Sequence, residues 1–134
     1  MKAPGSGPLD KTLPAPDPAQ VQVIRTYGPG HFLISDRDWR EPVLVTPTAT
    51  TAWQVTGSDA LSLANVVSVR DGPTPADLLV VGCGARATFI SPAVRAELKA
   101  AGLSLEVMDT GSACRLYNVL LAEGRRVAAA LVPL

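Results

Sequence analysis

Residues 78–84 read Leu78-Leu79-Val80-Val81-Gly82-Cys83-Gly84. Four consecutive apolar residues without polar alternation fit a strand covered on both faces, and such strands belong to sheets flanked by helices. The glycines predict a tight exit from that strand. Downstream, Ser91-Pro92 is a helix start, a capping hydroxyl followed by proline at the first helical position. Val94, Leu98 and Ala101 recur at helical spacing and Gly102 supplies the stop. Leu103, Leu105 and Val107 alternate as a strand. A second helix is predicted from near Ser112, with the apolar stripe Ala113, Leu116, Tyr117, Leu120 and Leu121 and a stop at Gly124. Val127–Val132 is the last strand. Strand, helix, strand, helix, strand on short connections predicts parallel neighbours joined by right-handed crossovers.

Upstream of residue 78 the pattern is mostly β. Val21, Val23 and Ile24 open a short strand, and Tyr27-Gly28-Pro29-Gly30 is a turn. His31–Ile34 is a second strand, followed by a polar turn at Ser35-Asp36-Arg37-Asp38. Val43–Thr46 and Ala52–Val55 are further strands, and Asp59 is placed to cap a short helix reaching Asn65. The fold class predicted is α/β: a three-layer sandwich with a central mixed sheet, crossover helices and added N-terminal β structure. Residues 1–20 carry Pro4, Pro8, Pro14, Pro16 and Pro18 among glycine and serine, so they read as a flexible tail ahead of one domain over 21–134.

Twelve basic and twelve acidic residues balance to zero, which argues against nucleic acid or an anionic membrane as partner, since both need a basic surplus. Two cysteines and one histidine are too few for a disulfide scaffold or most zinc sites, so no metal and no cofactor is predicted. No stretch approaches the ~20 apolar residues of a membrane span. The N-terminal MKAPGSGPLD lacks the apolar core of a secretory signal, and a cytoplasmic protein with free thiols is expected.

Val80–Ala87 matches strand then G-x-G-x-x-A, a dinucleotide fingerprint with Asp109 as its acidic partner. The match fails on context: Thr88-Phe89-Ile90 separates the glycines from the helix whose N-terminus would face a pyrophosphate. Asp109, Thr110 and Ser112 suit helix capping. Read functionally, they and the Gly82 loop both follow parallel strands and share the sheet edge where α/β folds place ligand clefts. Backbone N–H groups there would form an anion pocket. Cys114, read as lying in the first helical turn, would gain thiolate character from the helix N-terminus and Arg115. His31 reads as structural, and Glu123-Gly124-Arg125-Arg126 reads as a solvated helix end.

On these residues the chain resembles the domain-of-unknown-function family 498, with the MTH 938-like fold, which includes mitochondrial complex I assembly factor 3 and small bacterial proteins. The resemblance is carried by Ile24 with Tyr27–Ile34, by Trp53, by Leu78–Gly84, by Gly102–Thr110 and, most specifically, by Ala113–Leu131. It implies a three-layer α/β domain, no established enzyme activity, and a protein partner, a respiratory-complex component among the candidates. Where the family commonly has Gly-Thr-Gly this chain has Gly82-Cys83-Gly84, which argues against Cys83 as an essential nucleophile. The leading functional expectation is a non-catalytic binding or assembly domain, with Gly82, Cys83, Gly84, Asp109, Thr110, Cys114 and Asn118 as its candidate recognition residues. The alternative is a small enzyme or ligand-binding domain using a cleft between the Gly82 loop and the Asp109–Cys114 turn.

Overall fold

The apolar run forms an interior strand of the sheet: strand β6 (Leu78–Cys83) is bordered on both sides by parallel strands, β7 (Ser104–Met108) and β8 (Val127–Val132). The computed structural model describes residues 21–134, so the tail read in the sequence lies outside the described residues. β8 continues into an antiparallel pair, β4 (Val43–Val45) and β5 (Thr50–Ala52), and the five strands run β5-β4-β8-β6-β7. A separate antiparallel sheet holds β1 (Ile24–Gly28), β2 (His31–Ile34) and β3 (Arg37–Trp39). Helix α1 (Leu63–Val66) and helix α2 (Ser68–Asp71) follow a single 3-10 turn at Ser58–Ala60. Helices α3 (Pro92–Ala100) and α4 (Thr110–Ala122) make the two crossovers.

The period of two along β4, β6 and β8 sorts side chains into two cores. Val43, Val45, Val80, Val127, Ala129 and Leu131 face α4 and the three-stranded sheet, where they meet Phe32, Ile34, Trp39 and Tyr117. Leu44, Leu79, Val81, Ala128 and Ala130 face the other way, onto Trp53, Val66, Val69, Leu98 and Leu103. Strands buried on both faces need apolar residues at every position, hence the unbroken runs. Alanines at 128–130 let layers approach from both sides. The mixed α/β architecture expected from the sequence is the one observed.

Both crossover helices end by the same device. In α4 the Arg125 N–H donates to the Leu120 carbonyl and the Gly124 N–H to that of Leu121, with Gly124 at φ +75°. In α3 the Leu103 N–H reaches the Leu98 carbonyl and the Gly102 N–H that of Lys99, with Gly102 at φ +89°. Only glycine takes that left-handed step cheaply, and it closes orphan carbonyls while turning the chain into the next strand.

Four local expectations are corrected. The turn read over 35–38 shrinks to Ser35-Asp36, with Ser35 left-handed at φ 56°, and Arg37–Trp39 becomes β3. The strand expected over Ala52–Val55 lies at Thr50–Ala52, while Trp53 turns into the core and donates its indole N–H to Asn65 at 3.1 Å. Asp59 caps nothing: Ser62 caps α1 in a reciprocal box with Asn65, which satisfies two backbone donors at once. The last helix begins at Thr110 rather than near Ser112, because Asp109 supplies the cap.

Candidate functional site

The C-terminal ends of β6, β7 and β8 meet at Thr110, which is fully buried. Its hydroxyl accepts the Gly84 N–H at 2.7 Å and donates to the Val132 carbonyl at 2.6 Å. Its own N–H donates to the Gly84 carbonyl at 2.8 Å. One side chain therefore ties the exits of two strands to the start of α4. Gly82 makes that approach possible: a Cβ there would lie 2.9 Å from Leu131 Cδ2 and 3.0 Å from the Thr110 Cα. Gly84 sits at φ +92°, where a side chain would be strained. The Gly-x-Gly thus serves the close packing of helix on strand. The first helix after it opens only at Pro92.

The loop and the turn are brought together by these direct bonds. Of the first-turn donors, the Thr110 N–H is taken by Gly84, and the Ser112 N–H by the Asp109 carboxylate at 3.0 Å. A negative cap already sits where an anion would bind.

Outside this seam lies a polar rim. Asp109 also accepts the Ser112 hydroxyl at 2.7 Å, Ser112 accepts Arg115 Nη2 at 3.2 Å, and Arg115 Nη1 donates to the Tyr27 hydroxyl. The Ser112 hydroxyl and backbone N–H, with smaller help from Arg115, hold the Asp109 carboxyl below its usual range. Tyr27 lies over Gly111, whose missing Cβ would fall 3.2 Å from the phenol oxygen. The sequence shows Tyr27 only as the first residue of a turn, and nothing local joins residues 27 and 115.

Cys114 does not gain thiolate character. It is the fifth residue of α4, past the first turn, and only 1% exposed. Burial pushes its thiol up to about 12, and Arg115 offsets this only in part. Cys83 is partly exposed and packs on the opposite face of the sheet, so β6 separates the two sulfurs. Asn118 serves the fold: its Oδ1 accepts the Ile24 N–H at 3.0 Å and its Nδ2 donates to the Ile24 carbonyl at 2.8 Å. Beside it the Tyr117 hydroxyl donates to the Gln22 carbonyl at 2.9 Å. His31 stands 3.3 Å from Asp38, which also pairs with Arg40 at 2.9 Å. Among the described residues no three His, Cys, Asp or Glu side chains converge as metal ligands, and no helix is long and apolar enough to cross a membrane. A hollow of about 140 Å³, lined by Leu44, Thr46, Thr51, Ser68 and Val69, lies under the β4–β5 hairpin, away from the Thr110 seam.

The architecture and the Thr110 seam can be set beside known proteins. The family described as "Protein of unknown function (DUF498/DUF598)" matches residues 24–132. The chain belongs to the DUF498/DUF598 family. It is 41% identical over 111 residues to an uncharacterized protein of Rhodobacter capsulatus, covering 83% of this chain and 84% of that one. It is 35% identical over 123 residues to the Xenopus tropicalis protein named NADH dehydrogenase [ubiquinone] 1 alpha subcomplex assembly factor 3, covering 87% of this chain and 64% of that protein. The chain thus spans a little under two-thirds of that animal relative. Among solved structures it is similar to a Bordetella parapertussis protein at TM-score 0.76 and 30% identity, covering 84% of this chain and 96% of that one. A Bordetella pertussis protein described as a Mth938-like domain superposes at TM-score 0.74 and 26% identity, with 92% of each chain covered. DUF498/DUF598 membership and the Mth938-like fold agree with the resemblance drawn from Leu78–Gly84 and Ala113–Leu131.

Proposed function

We propose that this chain is a non-catalytic, assembly-factor-type binding domain that holds another protein while a respiratory NADH dehydrogenase is put together. The observation that carries this reading is the 35% identity, across 87% of the chain, to a protein named as an assembly factor of that complex. The geometry is in keeping with it. At the candidate edge the polar atoms of Gly84, Thr110 and Val132 are spent on one another, which leaves a closed seam. Asp109, Ser112 and Arg115 are left as a rim reachable from solvent. Such a rim suits reversible polar contact with a protein surface. In this reading Asp109 and Arg115 touch the partner, Cys83 lies at the margin, and Gly82, Gly84, Thr110, Cys114 and Asn118 act by holding the edge in shape. The partner is a component or folding intermediate of the complex.

The test is deletion of the gene in its native host, with the assembled NADH dehydrogenase quantified on native gels. Loss of assembled complex, restored by the wild-type chain, is the expected result. The folded variants Asp109→Asn, which keeps a capping side chain, and Arg115→Glu should restore it less well. An unchanged amount of assembled complex in the deletion strain would overturn the reading.

A further inference from the structure

We infer that the outer edge of β7 takes up an extended segment of another protein as a sixth strand, with a lysine or arginine of that segment opposite Glu106. This deepens, and rests on, the binding-domain reading above. β7 ends the five-stranded sheet and pairs only with β6. The Ser104 N–H donates to the Asp77 carbonyl at 3.0 Å, on the β6 side. Backbone groups along a strand point alternately to its two edges, so Ser104, Glu106 and Met108 face β6. The N–H and C=O of Leu105 and Val107 face outward, and among the described residues nothing pairs with them. Four such groups in line are a template for another strand. The other end strands offer less: β3 and β5 have three residues each, and Asn118 closes Ile24 on β1. Apolar surface borders the edge on both faces. Leu105 and Val107 are only half-buried against the core that also holds Val94 of α3, and Met108 only half-buried against the core that holds Leu116 of α4. Val119, one turn beyond Leu116, is 53% exposed. An added strand gains affinity from the backbone pairing and covers this border with its side chains.

Charge on the strand selects the occupant. Glu106 is the one charged residue of β7, it is exposed, and among the described residues it has no ion-pair partner. Two copies of this chain joined antiparallel through Leu105 and Val107 would set Glu106 directly opposite Glu106, and like charges so placed are destabilising. A shifted register brings in Leu103, whose N–H already donates to the Leu98 carbonyl, or Asp109, whose carbonyl already accepts the Ala113 N–H. A second copy is therefore a poor occupant. Residues 1–20 join the described chain at the other end of the sheet. There the Gln22 N–H donates to the Pro47 carbonyl at 3.2 Å and the Thr50 hydroxyl to the Gln22 side-chain oxygen at 2.7 Å, beside β5 and four strand spacings from β7. A basic residue from another protein makes the same carboxylate a cross-strand partner. Apolar residues next to it would meet Leu105 and Val107. β7 leads directly into Asp109, so the edge and the polar rim are one continuous surface.

The experiment places the photo-crosslinking residue p-benzoylphenylalanine at position 104, exposed on β7, in the full chain in the native host, and maps the peptide it captures. That peptide is then synthesised and added to the purified chain while amide hydrogen exchange is followed by NMR. In the free chain Leu105 and Val107 should exchange at least about tenfold faster than Glu106 and Met108, whose amides are bonded to β6. The captured peptide should be an extended run carrying lysine or arginine, and it should slow Leu105 and Val107 to the rate of Glu106. Glu106→Lys should weaken its binding about fivefold, and a peptide with glutamate in place of its basic residue should recover it. Glu106→Lys should unfold at the same urea concentration as wild type, so lost binding cannot be laid to lost folding. Capture of a second copy, of residues 1–20, of a helix or of nothing would overturn the inference. So would slow exchange at Leu105 and Val107 in the free chain, or a bound peptide that leaves them unchanged. If the deletion strain assembles its NADH dehydrogenase normally while the peptide protects Leu105 and Val107, the assembly role falls and this edge stands. If assembly needs the chain but Glu106→Lys supports it fully and no strand is captured, the edge falls and the role stands.

Discussion

Thr110 is the residue on which the edge depends. Valine keeps its shape and removes its hydroxyl, leaving the Gly84 N–H and the Val132 carbonyl without the partner they have now. Each buried polar group so orphaned costs about 1–3 kcal/mol, so Thr110→Val should lower the urea midpoint clearly, while Thr110→Ser, which keeps the hydroxyl, should lower it less. A Thr110→Val variant as stable as wild type would show that the hydroxyl is dispensable. Cys114 makes the second prediction at this scale. Its thiol is raised from 9.0 to about 12 by burial, so the unfolded chain ionises first as pH climbs. Stability is intact below pH 9 and should fall as pH rises from there toward 12, by at most about 1.4 kcal/mol per unit from this group. Tyr117, raised by burial above its usual 10.0, adds a fall of the same sign at higher pH. Cys114→Ala should therefore be less stable at neutral pH yet lose less between pH 9 and 10, as urea titrations across that range would record.

At the scale of the element, α4 is held between two sheets by different chemistry on each side. Ala113, Cys114, Tyr117 and Leu120 pack into the core, and Leu116 and Leu121 only partly join them. The stripe read from the sequence was correct in phase, but the helix also binds the N-terminal strand through Tyr117 and Asn118. Asn118 matters because β1 breaks register between Ile24 and Thr26, where the Asn118 amide closes both backbone groups of Ile24. Asn118→Leu should cost about 1–3 kcal/mol by stranding those groups. It should also raise amide hydrogen exchange at Ile24 far more than at Val80. Equal protection at both positions would show that β1 holds without the side chain.

Over the whole molecule, the five-stranded sheet divides the interior into two cores and the two thiols with it. Cys83, partly exposed, should react with iodoacetamide in the native protein, and Cys114, 1% exposed, only after unfolding. Non-reducing mass analysis should find no Cys83–Cys114 bond, and finding one would contradict the separation by β6. Much of this architecture was legible in one dimension. The run at 78–81, the capped start at Ser91-Pro92 and the stops at Gly102 and Gly124 are local signals, because a strand buried twice needs continuous apolar residues and a left-handed turn needs glycine. Strand β3 was hidden because Arg37 and Asp38 look like a turn until Trp39 is seen buried at the far end of a three-residue pairing. The structure brings the Gly82 loop against the start of α4, the two segments that the sequence reading set side by side. How closely the two approach depended on the packing of Gly82 against Thr110, set by how a helix sits on a strand 28 residues away and not by spacing along the chain. The same holds for Cys114 and Phe89. One apolar-looking thiol is sealed and one aromatic ring stands in water, because burial is a property of what the rest of the chain brings alongside.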